Sequence, residues 1–409
     1  MNVLITTQVF PPEIHPTAVM VQQLAAFLAG RGHDVTVACG HPHHPTGRLP
    51  RGWSRRVFER HDHEGIRVLR GWHALSPSRH IAVRAAVLVS QALGTATATL
   101  GAPRPDVVVN YGPPFVGPLL SAAIAKAHRA RLLSVIYDIY PDVVIGSGKL
   151  TNPLAIAAAR RVERAQYRLS DRILVLSEGF RRKLEAKGVP PEKVVTIPVW
   201  LETNEITPRD RDGPWRRRQG IGPEVKVVLY AGTIGLVSGA RVVIEAAERL
   251  RARRDVLFLF VGEGQVKEEL EDAARAARLA NVRFLPFQPR EELCDVQASA
   301  DVSLVTLAPG RGETSVPSKV VGYMAAGRPI LGSVDVDCDT AEAILSSGCG
   351  VVVPPGDAKA LAEGVEELLA NEEERRGMCR RARLAFEERY GAEAALRRYA
   401  EVLEALGRE

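Results

Sequence analysis

Val225-Lys226-Val227-Val228-Leu229-Tyr230-Ala231-Gly232-Thr233-Ile234-Gly235 is an apolar run that ends in a glycine turn. The run is too short for a buried helix and rich in branched residues, so it reads as a strand over 225–230. Apolar runs and amphipathic stretches alternate after it. Strands are expected at 256–261, 282–284, 302–305, 330–332 and 350–353. Helices are expected at 239–253, 265–278, 290–298, 318–326, 340–346 and 358–370. Strands this apolar must be covered on both faces, which implies a parallel sheet between layers of helices.

The same cycle runs ahead of it. Strands are expected at 3–7, 35–39, 68–71, 107–110, 132–137, 172–175 and 194–197, and helices at 17–30, 79–100, 117–128, 153–169 and 178–187. Residues 198–214 carry three prolines and no apolar period, and read as a connection. The fold class is therefore α/β, with two Rossmann-like doubly wound domains. The first is expected over 1–203, joined by an amphipathic C-terminal helix within 390–409, and the second over 204–389. Open parallel sheets bind ligands beyond the carboxyl ends of their strands, and two facing sheets would place those ends across a cleft.

Composition narrows the class. Of 409 residues, 46% are hydrophobic and 25% charged, as in an ordinary soluble protein. The chain opens directly on an apolar strand without a basic leader, and the longest weakly apolar run, 85–102, falls short of a membrane span. A cytoplasmic location is expected. Five cysteines without a C-x-x-C pair argue against a disulfide framework or a zinc knuckle. A net charge of +6 does not point to nucleic acid. The charge is uneven, though. Arg51, Arg55, Arg56 and Arg60 form one cluster and Arg160, Arg161, Arg164 and Arg168 another, each either a solvated face or a surface for phosphates or an anionic membrane.

Three segments carry chemistry. Gly232, Thr233 and Gly235 follow the first strand of the second domain, where glycine lets backbone approach a ligand and the next helix can offer its amides to a phosphate. Phe260-Val261-Gly262-Glu263-Gly264 repeats the arrangement on the neighbouring strand, with Glu263 equally suited to a helix N-terminus. The third is Glu313-Thr314-Ser315-Val316-Pro317-Ser318-Lys319, ahead of a helix. Lys319 in a first helical turn opposes the helix dipole, which suggests an anion nearby.

In this order, Tyr230-Ala231-Gly232-Thr233-Ile234-Gly235, Phe260-Val261-Gly262-Glu263-Gly264, Asn281-Val282-Arg283-Phe284-Leu285 and Val316-Pro317-Ser318-Lys319, then Tyr323-Met324-Ala325-Ala326-Gly327-Arg328-Pro329-Ile330, resemble a family 4 retaining glycosyltransferase of the GT-B fold. Tyr137-Asp138-Ile139-Tyr140-Pro141-Asp142 resembles a segment of the bacterial fucosamine-transferase-like subgroup, which assembles surface polysaccharides. The resemblance spans nearly the whole chain. It implies transfer of a hexosyl or N-acetylhexosaminyl group from a nucleoside diphosphate sugar, UDP favoured, to a glycan, lipid-linked or small-molecule acceptor, without a metal or other cofactor. The 79–100 helix with Arg51–Arg60 could touch the inner face of a membrane that carries a lipid-linked acceptor, and the helix reads equally well as a buried domain helix.

Donor binding then falls to Gly232, Thr233, Gly235, Gly262, Gly264, Phe287, Ser315, Pro317, Ser318 and Lys319. Two departures stand out. The family's paired glutamates are broken, with Gly322 at the second position and Glu313 one place off the first. The basic pair that clamps the diphosphate is absent between Gly232 and Gly239, leaving Lys319, Arg311 or Arg328 to supply the charge. Glu313, Asp138 and His15 are the catalytic candidates. Asp138 ends a strong strand and could orient or deprotonate the acceptor hydroxyl; His15 competes because imidazole titrates near neutrality. Pro12, Glu13, Tyr137 and Asp142 are assigned to the acceptor. Asp335-Val336-Asp337 and the His41, His43, His44 group have metal-like spacing but sit in irregular polar loops, so no metal site is assigned and the histidines read as a mobile acceptor loop. A sugar-nucleotide epimerase, a non-catalytic nucleotide-binding partner and an oxidoreductase compete; the last lacks the N-terminal glycine turn it needs.

Overall fold

The computed structural model describes every residue except 14, 45, 54, 55, 79, 113, 114, 147 and 312–317, and only the backbone of Ile81 and Ser318. The chain divides into two compact units, Met1–Ile197 with Leu396–Glu409, and Pro198–Ala395. The expected junctions at 203 and 390 lie a few residues inside the second unit at each end.

Unit 1 holds strands β1 (Asn2–Thr7), β2 (Asp34–Gly40), β3 (Phe58–His63), β4 (Ile66–Gly71), β5 (Val107–Tyr111), β6 (Arg131–Ile136), β7 (Arg172–Val175) and β8 (Val194–Thr196). Their order is β3-β4-β2-β1-β5-β6-β7-β8, all parallel but β3. The chain turns back between β1 and β5, so the switch point lies where Thr7 pairs with Tyr111. The apolar strands are almost wholly buried, as two-sided coverage requires. β3 was not expected. Its sequence Phe58-Glu59-Arg60-His61-Asp62-His63 has no apolar run, yet Glu64 and Gly65 both take positive φ and close a two-residue hairpin onto β4.

The helix Ile81–Ala98 lies on β2 and β4. Its seat is tight: a Cβ on Gly71 would meet the Gly94 carbonyl oxygen at 1.8 Å. Ala82–Gly101 is long and apolar enough to cross a membrane by length and composition, which the sequence reading did not credit. Here it covers one face of the sheet. The C-terminal helix Ala392–Leu406 brings Tyr399 to unit 1, where the Tyr111 hydroxyl donates to its oxygen at 2.8 Å.

Unit 2 holds β9 (Lys226–Ala231), β10 (Val256–Val261), β11 (Val282–Leu285), β12 (Val302–Thr306), β13 (Ile330–Ser333) and β14 (Gly350–Val353), all parallel, in the order β11-β10-β9-β12-β13-β14. Its switch point is between β9 and β12. The helix Glu372–Ala385 was not expected, because its charged sequence hides the apolar period; Asn371 caps it, its side chain accepting from Glu374 N.

Candidate functional site

In unit 2 the two glycine turns are laced together. Gly232 N donates to Val261 O at 2.9 Å, and Ile234 N to Glu263 O at 2.9 Å. A Cβ on Gly262 would sit 2.0 Å from Gly232 O, and one on Gly264 2.3 Å from Ile234 O. Glycine at 262 and 264 therefore serves turn-against-turn packing, where the sequence reading had assigned it to ligand approach. Gly235 differs: only the Thr233 methyl lies as near as 4.0 Å, so its open side is free. The turn is also tied to the end of β12, with Ala308 N donating to Val237 O at 3.0 Å and the Thr306 hydroxyl to Ser238 O at 2.6 Å. Both sides of the switch point are thus fixed.

Lys319 reaches into this switch point from the first turn of helix Ser318–Ala325. Its ammonium donates to the Tyr230 hydroxyl and, at 3.2 Å, to Thr233 O. Gly232 makes room, since a Cβ there would lie 3.0 Å from Lys319 Cε. One turn on, Tyr323 accepts from Ala231 N at 2.8 Å and pins the helix to β9. Burial pushes the Lys319 pKa down to about 8, and no carboxylate opposes that among the described residues. Among the described residues this half-buried cation meets only neutral oxygens, without the charge partner that would stabilise it.

In unit 1 a cavity of about 350 Å³ opens at the switch point between β1 and β5. Gln8 and Val9 line it from β1, Asn110, Tyr111 and Gly112 from β5, and Val135 to Asp138 from β6. This is where an open parallel sheet places its ligand. The surrounding protein raises the Asp138 pKa above the ordinary carboxylate value. His15 also lines the cavity, but its Nδ1 accepts from Thr17 N at 3.2 Å and caps helix Pro16–Gly30. In the neutral ring the proton is then on Nε2, and neither nitrogen is left to accept a substrate proton. Burial and His44 lower its pKa and favour that neutral form.

Two family models match the chain: a glycosyl transferase 4-like domain over residues 17–200 and glycosyl transferases group 1 over residues 212–385. The chain is a glycosyltransferase of family 4 type with the GT-B fold. Escherichia coli WcaI, named as a colanic acid biosynthesis glycosyl transferase, is 25% identical over 379 residues, covering 90% of this chain and 92% of WcaI. Sucrose-phosphate synthase of Thermosynechococcus elongatus superposes with a TM-score of 0.67 at 17% identity, covering 99% of both chains. Anabaena HepE, solved in complex with UDP and glucose, gives a TM-score of 0.64 at 16% identity, again over 99% of both.

The remaining predicted residues of this glycosyltransferase are placed as follows. Glu313, Ser315 and Pro317 lie outside the described residues, as does the Ser318 side chain. Thr233 is exposed beside Lys319, and Phe287 is exposed just past the end of β11. Arg328 is engaged at the opposite end of the sheet, donating to Arg209 O at 2.7 Å. Tyr137 lines the cavity of unit 1 with Asp138. Asp142 is drawn off into an ion pair with Lys187 at 2.7 Å, and Pro12 is exposed beyond the cavity-lining residues.

Glu13 is buried and braces the loops. Its carboxylate accepts from His43 N at 3.0 Å, His44 N at 2.9 Å and Phe10 N at 3.3 Å. The histidine loop expected to be mobile is therefore pinned, with the His41 imidazole donating to Arg56 O at 2.7 Å. Among the described residues no three His, Cys, Asp or Glu side chains are placed to hold a metal; Asp335 instead accepts from Gly310 N at 3.0 Å. His43 and His44 of the expected acceptor loop line the cavity; reasoning from sequence missed Tyr111, Arg84 and Gln166 there. Tyr111 directly follows the strand expected at 107–110, and that position was the available signal.

Proposed function

We propose that this glycosyltransferase moves a sugar from a nucleoside diphosphate donor, UDP favoured, to an acceptor hydroxyl with retention of configuration. The observation that carries this reading is Lys319, a half-buried cation with no carboxylate partner among the described residues at the β9–β12 switch point. A departing diphosphate supplies the missing negative charge, and Gly235 leaves backbone open to it. The exposed Phe287 ring offers a face on which a base can stack.

In the transfer, the bond from the anomeric carbon to the diphosphate oxygen breaks and one to the acceptor oxygen forms. The hydroxyl proton leaves with the diphosphate or with Asp138. The unit 1 cavity is the acceptor site in this reading, and Asp138 orients or deprotonates the hydroxyl. A glycan or lipid-linked acceptor fits the relatives, one of which is named for colanic acid biosynthesis. An epimerase or a non-catalytic partner is not favoured by the matches.

The test is thermal-shift screening with UDP-, GDP-, ADP- and dTDP-sugars, followed by turnover with the donor that stabilises most. Stabilisation by UDP-sugars is expected. If no nucleoside diphosphate sugar raises the melting temperature, the donor reading falls.

A further inference from the structure

A second cavity of unit 1 collects cations. Its volume is about 750 Å³, within the range of small-molecule sites. Arg161, Arg164, Tyr167 and Arg168 line it from helix Pro153–Leu169, and Lys187 and Lys193 from the segment between Ala186 and β8. No Asp or Glu is among the described lining residues.

The fold accounts for only part of this charge. Lys187 is paired with Glu163 at 2.5 Å and with Asp142 at 2.7 Å. Lys193 donates to Arg168 O at 3.3 Å and Ser170 O at 3.0 Å, and so satisfies the helix end. Arg168 lies in the last helical turn, where a cation complements the dipole. Arg161 and Arg164 stand more than one turn earlier, beyond the reach of that effect. Positions 161, 164 and 168 follow one another along one side of the helix. None of the three guanidiniums has a hydrogen-bond or ion-pair partner among the described residues. Like charges gathered around one cavity repel, and a multiply charged anion removes that cost.

The number of prongs selects the anion. A carboxylate is planar and is satisfied by a single guanidinium fork, whereas a phosphate offers three terminal oxygens in three directions. We infer that this cavity binds a small phosphate compound, with Arg161, Arg164 and Arg168 on its oxygens.

The cavity shares a wall with the one at the β1–β5 switch point. Tyr167 lines both, and its hydroxyl donates to Glu163 at 2.9 Å. Glu163 lines the switch-point cavity and is also the buried carboxylate that holds Lys187. An anion that draws on Lys187 therefore loosens Glu163 in the opposite wall. The phosphate site stands without the transferase reading; only this effect on the acceptor rests on it.

The experiment is calorimetric titration of inorganic diphosphate into the full chain and into Lys319→Met, which lacks the cation assigned to the donor diphosphate. Both are expected to hold a site that R161Q/R164Q/R168Q weakens at least about tenfold, the loss of charge-assisted contacts. R249Q/R251Q/R254Q, the same charge loss on unit 2, should leave that site unchanged. All six arginines are exposed, so urea unfolding should not move in either triple. At saturating UDP-sugar, diphosphate should raise the acceptor KM of the wild type and not that of R161Q/R164Q/R168Q. The inference is overturned if Lys319→Met alone removes all diphosphate binding, if both arginine triples lose the same affinity, or if citrate binds as tightly as diphosphate. It is also overturned if R161Q/R164Q/R168Q keeps diphosphate and instead loses binding to phosphatidylglycerol vesicles. A wild-type KM that ignores bound diphosphate overturns the link to the acceptor wall. Nucleotide-sugar thermal shifts read the transferase proposal separately.

Discussion

The Lys319 ammonium lies 3.8 Å from the centre of the Tyr230 ring and donates to the Tyr230 hydroxyl. Among the described residues only neutral groups solvate it there, a cost that a bound anion would remove. For a lysine lowered from 10.5 to about 8, the unfolded state binds more protons between those values. Stability therefore rises with pH across that window, and its contribution is lost as pH falls through 8. Lys319→Met should raise the melting temperature of the free protein at neutral pH and weaken UDP-sugar affinity at least about tenfold, the loss of one charge-assisted contact. Near pH 8, donor binding should take up a proton in the wild type but not in the variant, measured by calorimetry in buffers of different ionisation heat. Unchanged affinity in Lys319→Met removes it from the phosphate site.

Asp138 and His15 share a cavity but not a role. Asp138→Asn keeps shape and removes the proposed base, so turnover should fall about 100-fold or more while donor affinity stays. Because burial raises the Asp138 pKa, the acid limb of kcat should lie above the ordinary carboxylate range, with activity lost as pH falls through it. His15→Asn retains an acceptor for Thr17 N and should keep both activity and stability. His15→Ala removes the helix cap and should cost about 1 kcal/mol in urea unfolding. If His15→Asn is as inactive as Asp138→Asn, the assignment is reversed.

The strands of both units and the glycine turns of unit 2 were legible because apolar runs and glycines announce themselves locally. Lys319 was found by its wrong place on a helix dipole, although nothing in the sequence said it would fold back over Tyr230. What stayed hidden depended on contacts distant in sequence. Glu13 looked like a ligand residue, and only the position of the 41–44 loop shows its carboxylate spent on His43 and His44 amides. Asp142 looked available until Lys187 reached it. β3 escaped because an edge strand need not be apolar.

The glycines separate packing from binding. A Cβ on Gly262 would strike Gly232 O, and the residue has φ +157. Gly262→Ala should destabilise by about 1–3 kcal/mol, as overpacking does, with or without donor. Gly235 has φ −103 and open space, so Gly235→Ala should leave urea unfolding unchanged. It should weaken UDP-sugar binding if phosphate approaches that backbone. Equal stability loss from the two variants would contradict this division.

Tyr111 and Tyr399 tie the C-terminal helix to the unit 1 cavity. Tyr111 lines the cavity, and its hydroxyl donates to Tyr399 in a site where burial drives both phenol pKa values well up. Both therefore stay protonated at every working pH, and the link should not titrate. Tyr399→Phe leaves the Tyr111 hydroxyl without that acceptor, a loss of about 1–3 kcal/mol. Tyr137 also hydrogen-bonds into this pair; replacing both Tyr111 and Tyr399 by Phe removes both partners of their shared bond, so the double variant should lose less than the two single losses added together. Because the Tyr111 ring forms cavity wall, Tyr399→Phe should raise the acceptor KM while leaving the UDP-sugar thermal shift intact. Strict additivity in urea, or an equal loss of donor binding, would show that the pair supports the fold without positioning the acceptor wall.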